Sequence, residues 1–266
     1  MKIDVAPDWW KTLFDEVYLL TDARSVCNDD VTRREIDVIC ELLPLQEADS
    51  ILDLCGGHGR HSLELARRGY PQCTVLDYSQ VLLERGRAAA EQIGCPVAFV
   101  QGDATATGLP EGTYDHALIL GNSLGYMPEA VNDLQIMQET LRLLKPGGCL
   151  LVDVTDGIVV REKFSPNAWH EIEGKIIVCR QRELVDNFIR AREVVLCKDQ
   201  GLVRDQSYAI RLYAPETLEA LVDEAGFSDI FIHRGFSAQG KDGDYGFMNH
   251  RLIITARKPE DRSCKS

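Results

Sequence analysis

Ile51-Leu52-Asp53-Leu54-Cys55-Gly56-Gly57-His58-Gly59-Arg60 is the stretch that decides the fold. Its first four residues read as a short buried strand, and that strand runs straight into a glycine-bearing turn that opens a helix. Glycines in such a turn let a ligand approach the backbone, and the helix N-terminus offers free N–H groups. Many doubly wound proteins use a turn of this kind for nucleotides, for phosphates or for tight packing alone, so its surroundings must choose among them.

Outward from the turn, short apolar runs alternate with helical segments. Strands are expected at Ile51–Leu54, Thr74–Asp77, Ala98–Gln101, His116–Leu120 and Cys149–Val154, with helices near 60–68, 79–93 and 129–144. That alternation predicts a doubly wound α/β fold, with a mostly parallel sheet covered on both faces. After Val154 it stops. Lys175–Glu183, Phe188–Lys198 and Arg204–Tyr213, separated by Asp186-Asn187 and Asp199-Gln200-Gly201, read as an antiparallel meander inserted after the fifth strand. A helix from Pro215 to Ala225 then ends at Gly226, and strands at Ile230–His233 and Arg251–Ala256 read as a closing pair. Upstream, Trp9, Trp10, Leu13, Phe14 and Val17 fall near helical spacing; Thr32 followed by Glu35 suggests a capped helix through Ile36, Ile39, Cys40 and Leu43, ended by Pro44. The resulting plan is a helical cap over 1–49, a core over 50–160 and 214–258, an antiparallel β lid over 161–213, and a polar tail over 259–266.

Bulk properties limit the partners. A chain of 266 residues, 45% hydrophobic and 27% charged, suffices for one large domain or a domain with an insertion. Its 42 acidic and 29 basic residues give a formal charge of −13, which repels nucleic acid and anionic membranes. Nine cysteines without a Cys-x-x-Cys pair fit a reducing cytoplasm. The N-terminus has no apolar signal core, and no run approaches the roughly 18 apolar residues of a membrane span. The expectation is a cytoplasmic protein, with a homodimer compatible with the composition.

Two more acids bear on the turn. Asp77 ends the second strand, where a carboxylate can accept hydrogen bonds from both ribose hydroxyls, as in dinucleotide sites. Asp103 ends the third strand, where it or its neighbouring backbone can read an exocyclic amine. Either acid alone is also an ordinary helix cap or solvated residue. A nicotinamide or flavin dinucleotide would call for a third glycine or alanine where Ser62 stands, and for a second mononucleotide-binding half; neither is evident. Cys55, His58 and His61 have metal-like spacing without a nearby fourth ligand, so no metal is expected.

At this point the sequence resembles the class I S-adenosylmethionine-dependent methyltransferases, from about Ser50 to Val154. Besides the turn and the two acids, the resemblance rests on Thr113-Tyr114-Asp115-His116-Ala117-Leu118 and on Leu144-Lys145-Pro146-Gly147-Gly148. It implies a seven-stranded sheet and S-adenosylmethionine as cofactor. Carried over, Asp53, Gly57 and Gly59 shape the methionine-side pocket, Asp77 holds the ribose, Asp103 and Ala104 flank the adenine, and Asn122 meets the methionine end or the substrate. Cys55, Gly56, Tyr78 and Leu120 complete the implied cofactor-binding set. The chain departs from the family's Gly-x-Gly-x-Gly, since Cys55 holds the first glycine position and Gly56 the intervening one; binding then calls for negative φ at Cys55.

The acceptor side is less defined. Residues following the strands are Gly121, Asn122, Ser123 and Tyr126 after the fourth, and Asp153, Thr155 and Asp156 after the fifth. The glycine-rich loop from Gly235 to Asn249, with Tyr245, reads either as a mobile wall or as a solvated hairpin loop. The meander is expected to cover the site. Its Arg180, Arg182, Arg190, Arg192 and Arg211, with Tyr213, either present guanidinium groups to an acidic substrate or line a solvated face beside Glu183 and Glu193; the solvated face is the more ordinary outcome. His170, in the loop before the meander, is the first choice for a base, with Tyr126 the other catalytic candidate. Trp9, Trp10 and Tyr18 either cap the pocket or anchor a core. The leading expectation is methyl transfer to a nitrogen or oxygen of a small-molecule acceptor, the alternatives being a protein or RNA methyltransferase and a non-catalytic S-adenosylmethionine-binding protein.

Overall fold

The computed structural model describes residues 2–22, 27–237 and 250–260. Strand β1, Ile51–Leu54, is buried along its whole length because helices cover both faces of its sheet. Its neighbours follow the alternation of the sequence: α4 (Arg60–Arg67), β2 (Cys73–Asp77), α5 (Gln80–Ile93), β3 (Ala98–Gln101), β4 (Tyr114–Ile119), α6 (Ala130–Leu143) and β5 (Leu144–Thr155), then α8 (Pro215–Glu224), β10 (Ser228–Phe236) and β11 (Arg251–Arg257). The strand order is β10-β11-β5-β4-β1-β2-β3. All pairs from β3 to β5 are parallel, and β11 runs antiparallel to both of its neighbours. This is the expected seven-stranded, mostly parallel sheet.

Period-two alternation sends successive side chains to opposite faces, and so builds two cores. Leu52, Leu54, Leu76, Ile119 and Val152 pack with α6 and α8 residues such as Met137 and Leu218. Ile51, Val75, Leu118 and Leu151 pack with Leu63, Leu83 and Ile39, the last from α3 (Asp29–Leu42). The carboxyl ends of β1 to β4 therefore meet at one rim. Arg251 of β11 and Asp153 of β5 form a buried two-bond ion pair, 2.6 Å for each N–H···O contact, that fastens the reversed strand.

A second sheet, β6-β7-β8-β9, is antiparallel and inserted after β5: β6 (Asn167–Ile172), β7 (Ile176–Val185), β8 (Phe188–Cys197) and β9 (Gly201–Arg211). Three of its strands match the expected meander. Strand β6 and the short α7 (Gly157–Glu162) were not anticipated, and β6 corrects the placement of Trp169 and His170, which lie in a strand and not in a loop.

The N-terminal segment also differs from expectation. It forms two short helices, α1 (Trp10–Leu13) and α2 (Glu16–Thr21), divided because Asp15 is extended and caps α2 by accepting bonds from the N–H groups of Val17 and Tyr18. Helix α3 is capped by Asn28, whose side chain accepts from Asp30 and Val31, and not by Thr32. Thr32 is already inside the helix, donating to the Asn28 carbonyl at 3.1 Å, and Glu35 is engaged elsewhere. Trp9 and Leu13 pack on Ala191, Tyr208 and Ile210 of the second sheet, while Ser79 Oγ donates to the Phe14 carbonyl at 2.6 Å on the core side. The segment thus lies between the insertion and the rim.

Close packing of α5 on β3 and on the turn after β1 depends on glycine. A Cβ on Gly86 would collide with Phe99 Cε1 and lie 2.7 Å from the His58 carbonyl oxygen, and the second of these is backbone. Gly86→Ala therefore should destabilise the fold by about 2 kcal/mol despite alanine's better helix propensity. Denaturant unfolding checks this; a gain in stability would refute the packing argument.

Candidate active site

The turn after β1 is shaped from below by Asp53. Its side chain is fully buried and its Oδ2 accepts from Ser62 Oγ at 2.9 Å. A Cβ on Gly56 would stand 2.6 Å from Asp53 Cγ, so glycine at that position is dictated by the carboxylate beneath it. Asp53 Oδ1 is buried without a hydrogen-bond partner among the described residues, and burial raises the carboxyl's pKa. Asp53 is among the residues that line a cavity.

That cavity occupies the rim. Asp53, Cys55, Gly56, Gly57, His58 and Arg60 line it from the first turn, and Asp77, Tyr78 and Ser79 from the end of β2. Gly102, Asp103 and Ala104 line it from the end of β3, and Leu120, Gly121, Ser123, Tyr126 and Met127 from beyond β4. Trp10, Phe14 and Tyr18 supply the opposite wall. Asp77 ties two turns together: Oδ2 accepts from Gly57 N–H and Oδ1 from Ser79 N–H, each at 2.8 Å. Burial pushes its carboxyl up to about 6, against the pull of those two N–H donors. Asp103 Oδ1 accepts from the N–H and hydroxyl of Thr105.

Arg60 is held from α3, bonding to Thr32 Oγ1 and to Glu35, whose Oε2 also lies 3.0 Å from His61 Nε2. Burial would raise the Glu35 carboxyl, but Arg60 and His61 outweigh it and hold it well below the usual range. A basic side chain is thus kept at the cavity edge of an acidic protein. Phe14 stacks on Tyr126 at 5.4 Å, and meets Tyr18 edge-on at 5.0 Å. Burial drives the Tyr18 and Tyr126 hydroxyls to higher pKa, with Asp22 adding to the effect at Tyr18.

Several expected positions lie elsewhere. Gly59, at φ 72°, caps α4 and abuts Phe99 and Val75, away from the cavity. Asn122 is buried with φ 70°; its Oδ1 accepts from Thr155 N–H at 2.8 Å, so it fastens the β4 loop to β5 while its neighbours Gly121 and Ser123 reach the cavity. His170 is not brought to the cavity, because β6 is the sheet's edge strand, and its Nε2 lies 3.3 Å from the Thr21 carbonyl. Asp153 is spent on Arg251, and Asp156 on capping α7 and pairing Arg234. The insertion lines none of this cavity, since the N-terminal helices stand in between; this corrects the expectation that it forms the cover. The expected wall residues Tyr245 and Asn249 lie outside the described residues. Cys55 has φ 60°, not the negative value anticipated, and so occupies the left-handed conformation of the glycine it replaces. Arg60, Leu82, Gly102 and Met127 were missed; only their places just beyond strand ends, or one helical turn further on, pointed to them.

A methyltransferase domain model matches residues 51–148. The chain is 25% identical over 225 residues to YqeM of Bacillus subtilis, itself named only as a methyltransferase, with 80% of this chain and 86% of that one aligned. The crystal structure of an S-adenosylmethionine-dependent methyltransferase from Clostridium acetobutylicum superposes with a TM-score of 0.72 at 14% identity, covering 91% and 96% of the two chains. Residues 51–148 thus carry a methyltransferase domain, and the chain has the fold of the class I S-adenosylmethionine-dependent methyltransferases. The chain is also 29% identical over 208 residues to the ubiquinone/menaquinone biosynthesis C-methyltransferase UbiE of Cronobacter sakazakii, with 72% and 75% aligned.

Two measurements test the geometry. A β-branched residue tolerates φ 60° poorly, so Cys55→Val is expected to cost about 2 kcal/mol and Cys55→Gly less than about 1 kcal/mol in urea unfolding; the reverse order would contradict the left-handed assignment. Folded Asp77 keeps its proton up to about pH 6, whereas an unfolded aspartate loses it near pH ~4. The folded state then binds more protons between those values, so the contribution of Asp77 to stability is full below about pH 4 and is lost as pH rises through 6. The stability of the wild type relative to Asp77→Asn should fall from pH 4 to 6.5 and be flat above; a rise over that window would refute the burial argument.

Proposed function

We propose that this methyltransferase transfers the methyl group to a nitrogen or oxygen of a small-molecule acceptor, and that it works in a reducing cytoplasm. One observation carries the reading: the rim cavity that fits the cofactor is walled on its far side by Trp10, Phe14, Tyr18 and Tyr126, an aromatic cover that admits a small molecule rather than a folded surface to the reacting group. The charge of −13 weighs against RNA, and the UbiE relative carries a small-molecule pathway in its name. Eight free cysteines among the described residues suit a reducing compartment, and none of the described helices is long and apolar enough to cross a membrane.

The residues present fit the cofactor. Asp53 Oδ1 offers an unmet acceptor to a cationic amino group, and Arg60 a guanidinium to a carboxylate. Asp77 retains lone pairs for ribose hydroxyls, and Asp103, Ala104 and Tyr78 border the place for a base. When bound, S-adenosylmethionine supplies a methyl group already activated by positive sulfur. The protein's own contribution is then alignment and exclusion of water, and proximity supplies much of the rate. Because burial keeps the Tyr126 hydroxyl protonated at neutral pH, it donates a hydrogen bond to the acceptor and does not take its proton. An amine, which can lose its proton to water before attack, suits such a wall better than a hydroxyl does.

Incubating the enzyme with methyl-labelled S-adenosylmethionine and separate metabolite, protein and RNA pools tests the acceptor class. Label is expected in the metabolite pool. Label confined to protein or RNA would overturn the reading.

A further inference from the structure

A second cavity lies across Tyr126 from the first, between the N-terminal segment and the insertion sheet, with Lys2, Asp4, Trp9, Phe188 and Arg190 in its lining. Tyr126 lines both cavities, so the two meet at this residue. Trp9 meets that ring edge-on at 5.2 Å.

The basic residues of the insertion do not share one environment. Arg180 pairs with Asp22 and Glu193, Arg192 with Asp205, Arg204 with Asp15 and Glu193, and Arg211 with Asp133. Arg180–Asp22 and Arg204–Asp15 fasten the N-terminal segment to the second sheet and Arg211–Asp133 fastens the core to it, while the other pairs lie within that sheet. Arg190 is different: its Nη1 reaches only the Ile3 carbonyl, at 3.5 Å, and no carboxylate lies within ion-pair distance of it among the described residues. The acid opposite it on β7, Glu183, accepts from the Ile3 N–H instead. Lys2 likewise has no carboxylate partner among the described residues. Against these two cations the cavity sets one acid, Asp4, leaving a net positive charge beside an apolar floor of Trp9 and Phe188. A half-buried guanidinium facing a cavity with unfilled donors is built to bind a carboxylate or a phosphate.

We infer, resting on the function proposed above, that this second cavity seats the acceptor, with Arg190 and Lys2 binding an anionic group on it and Tyr126 facing its reactive end. Arg190 is then a specificity-determining residue: it acts on acceptor affinity and leaves the reacting atoms untouched.

The test uses the full chain and Arg190→Gln, with equal thermal melting as the control for folding. A metabolite extract is split on an anion-exchange resin, and each fraction is offered with labelled S-adenosylmethionine. Label should enter the retained, anionic fraction. With Arg190→Gln, the amount of that fraction giving half-maximal rate should rise at least tenfold, while the maximal rate changes less than twofold. In parallel, tryptophan fluorescence follows titration with inorganic phosphate and with acetate at constant ionic strength. Saturable binding is expected, at least tenfold weaker in the variant; tighter phosphate marks a phosphorylated acceptor, and tighter acetate a carboxylic one. Label only in the unretained fraction, an unchanged half-saturation in the variant, or no saturable binding of either anion overturns the inference. Labelling of a neutral metabolite would overturn it while sparing the proposed function, whereas labelling of protein or RNA alone would remove the reading on which it rests.

Discussion

A buried carboxylate under a turn governs this structure's chemistry. Asp53 sits fully enclosed beneath Gly56, anchored by Ser62 on one oxygen and with no hydrogen-bond partner among the described residues on the other. Any side chain at position 56 would collide with it, so the backbone from Cys55 to Gly59 has one way to pass. Asp77 then locks that path to the next strand through the Gly57 and Ser79 N–H groups. Two carboxylates taken out of water raise their own pKa values, a cost that cationic and hydroxyl groups on a ligand can offset.

The wall facing this turn is not part of the sheet. Trp10, Phe14 and Tyr18 reach the cavity from a segment held to the insertion by Asp15–Arg204, Asp22–Arg180 and the Trp9 cluster, and to the core by Ser79. The insertion acts on the cavity at one remove, by presenting the helices that line it. The same arrangement leaves the second cavity beside Tyr126, a residue that lines both cavities.

The doubly wound sheet was legible because its strands are nearly unbroken apolar runs ending in glycine or an acid, and the three long insertion strands because turn residues separate them. Strand β6 escaped because Asn167–Ile172 is a largely exposed edge strand with little apolar contrast, and α7 because six residues carry too short a period. At the site, acids following strands were readable as types but not as orientations. Asp77 and Asp103 line the cavity, whereas Asp153 and Asp156 face arginines distant in sequence, Arg251 and Arg234, and those pairings exist only after folding. Asn122 and Gly59 stand at the expected loop positions yet serve packing. The left-handed Cys55 also lay beyond reach, since the neighbours that force a residue there cannot be read from its own identity.

Calorimetric titration with S-adenosylmethionine of the wild type and of Asp77→Asn at pH 7.5 bears most directly on the claim that this turn holds the cofactor. Saturable binding by the wild type is expected, in the micromolar range of about 1–100 μM, with at least tenfold weaker binding by the variant. No binding by the wild type, or equal binding by both proteins, would contradict it.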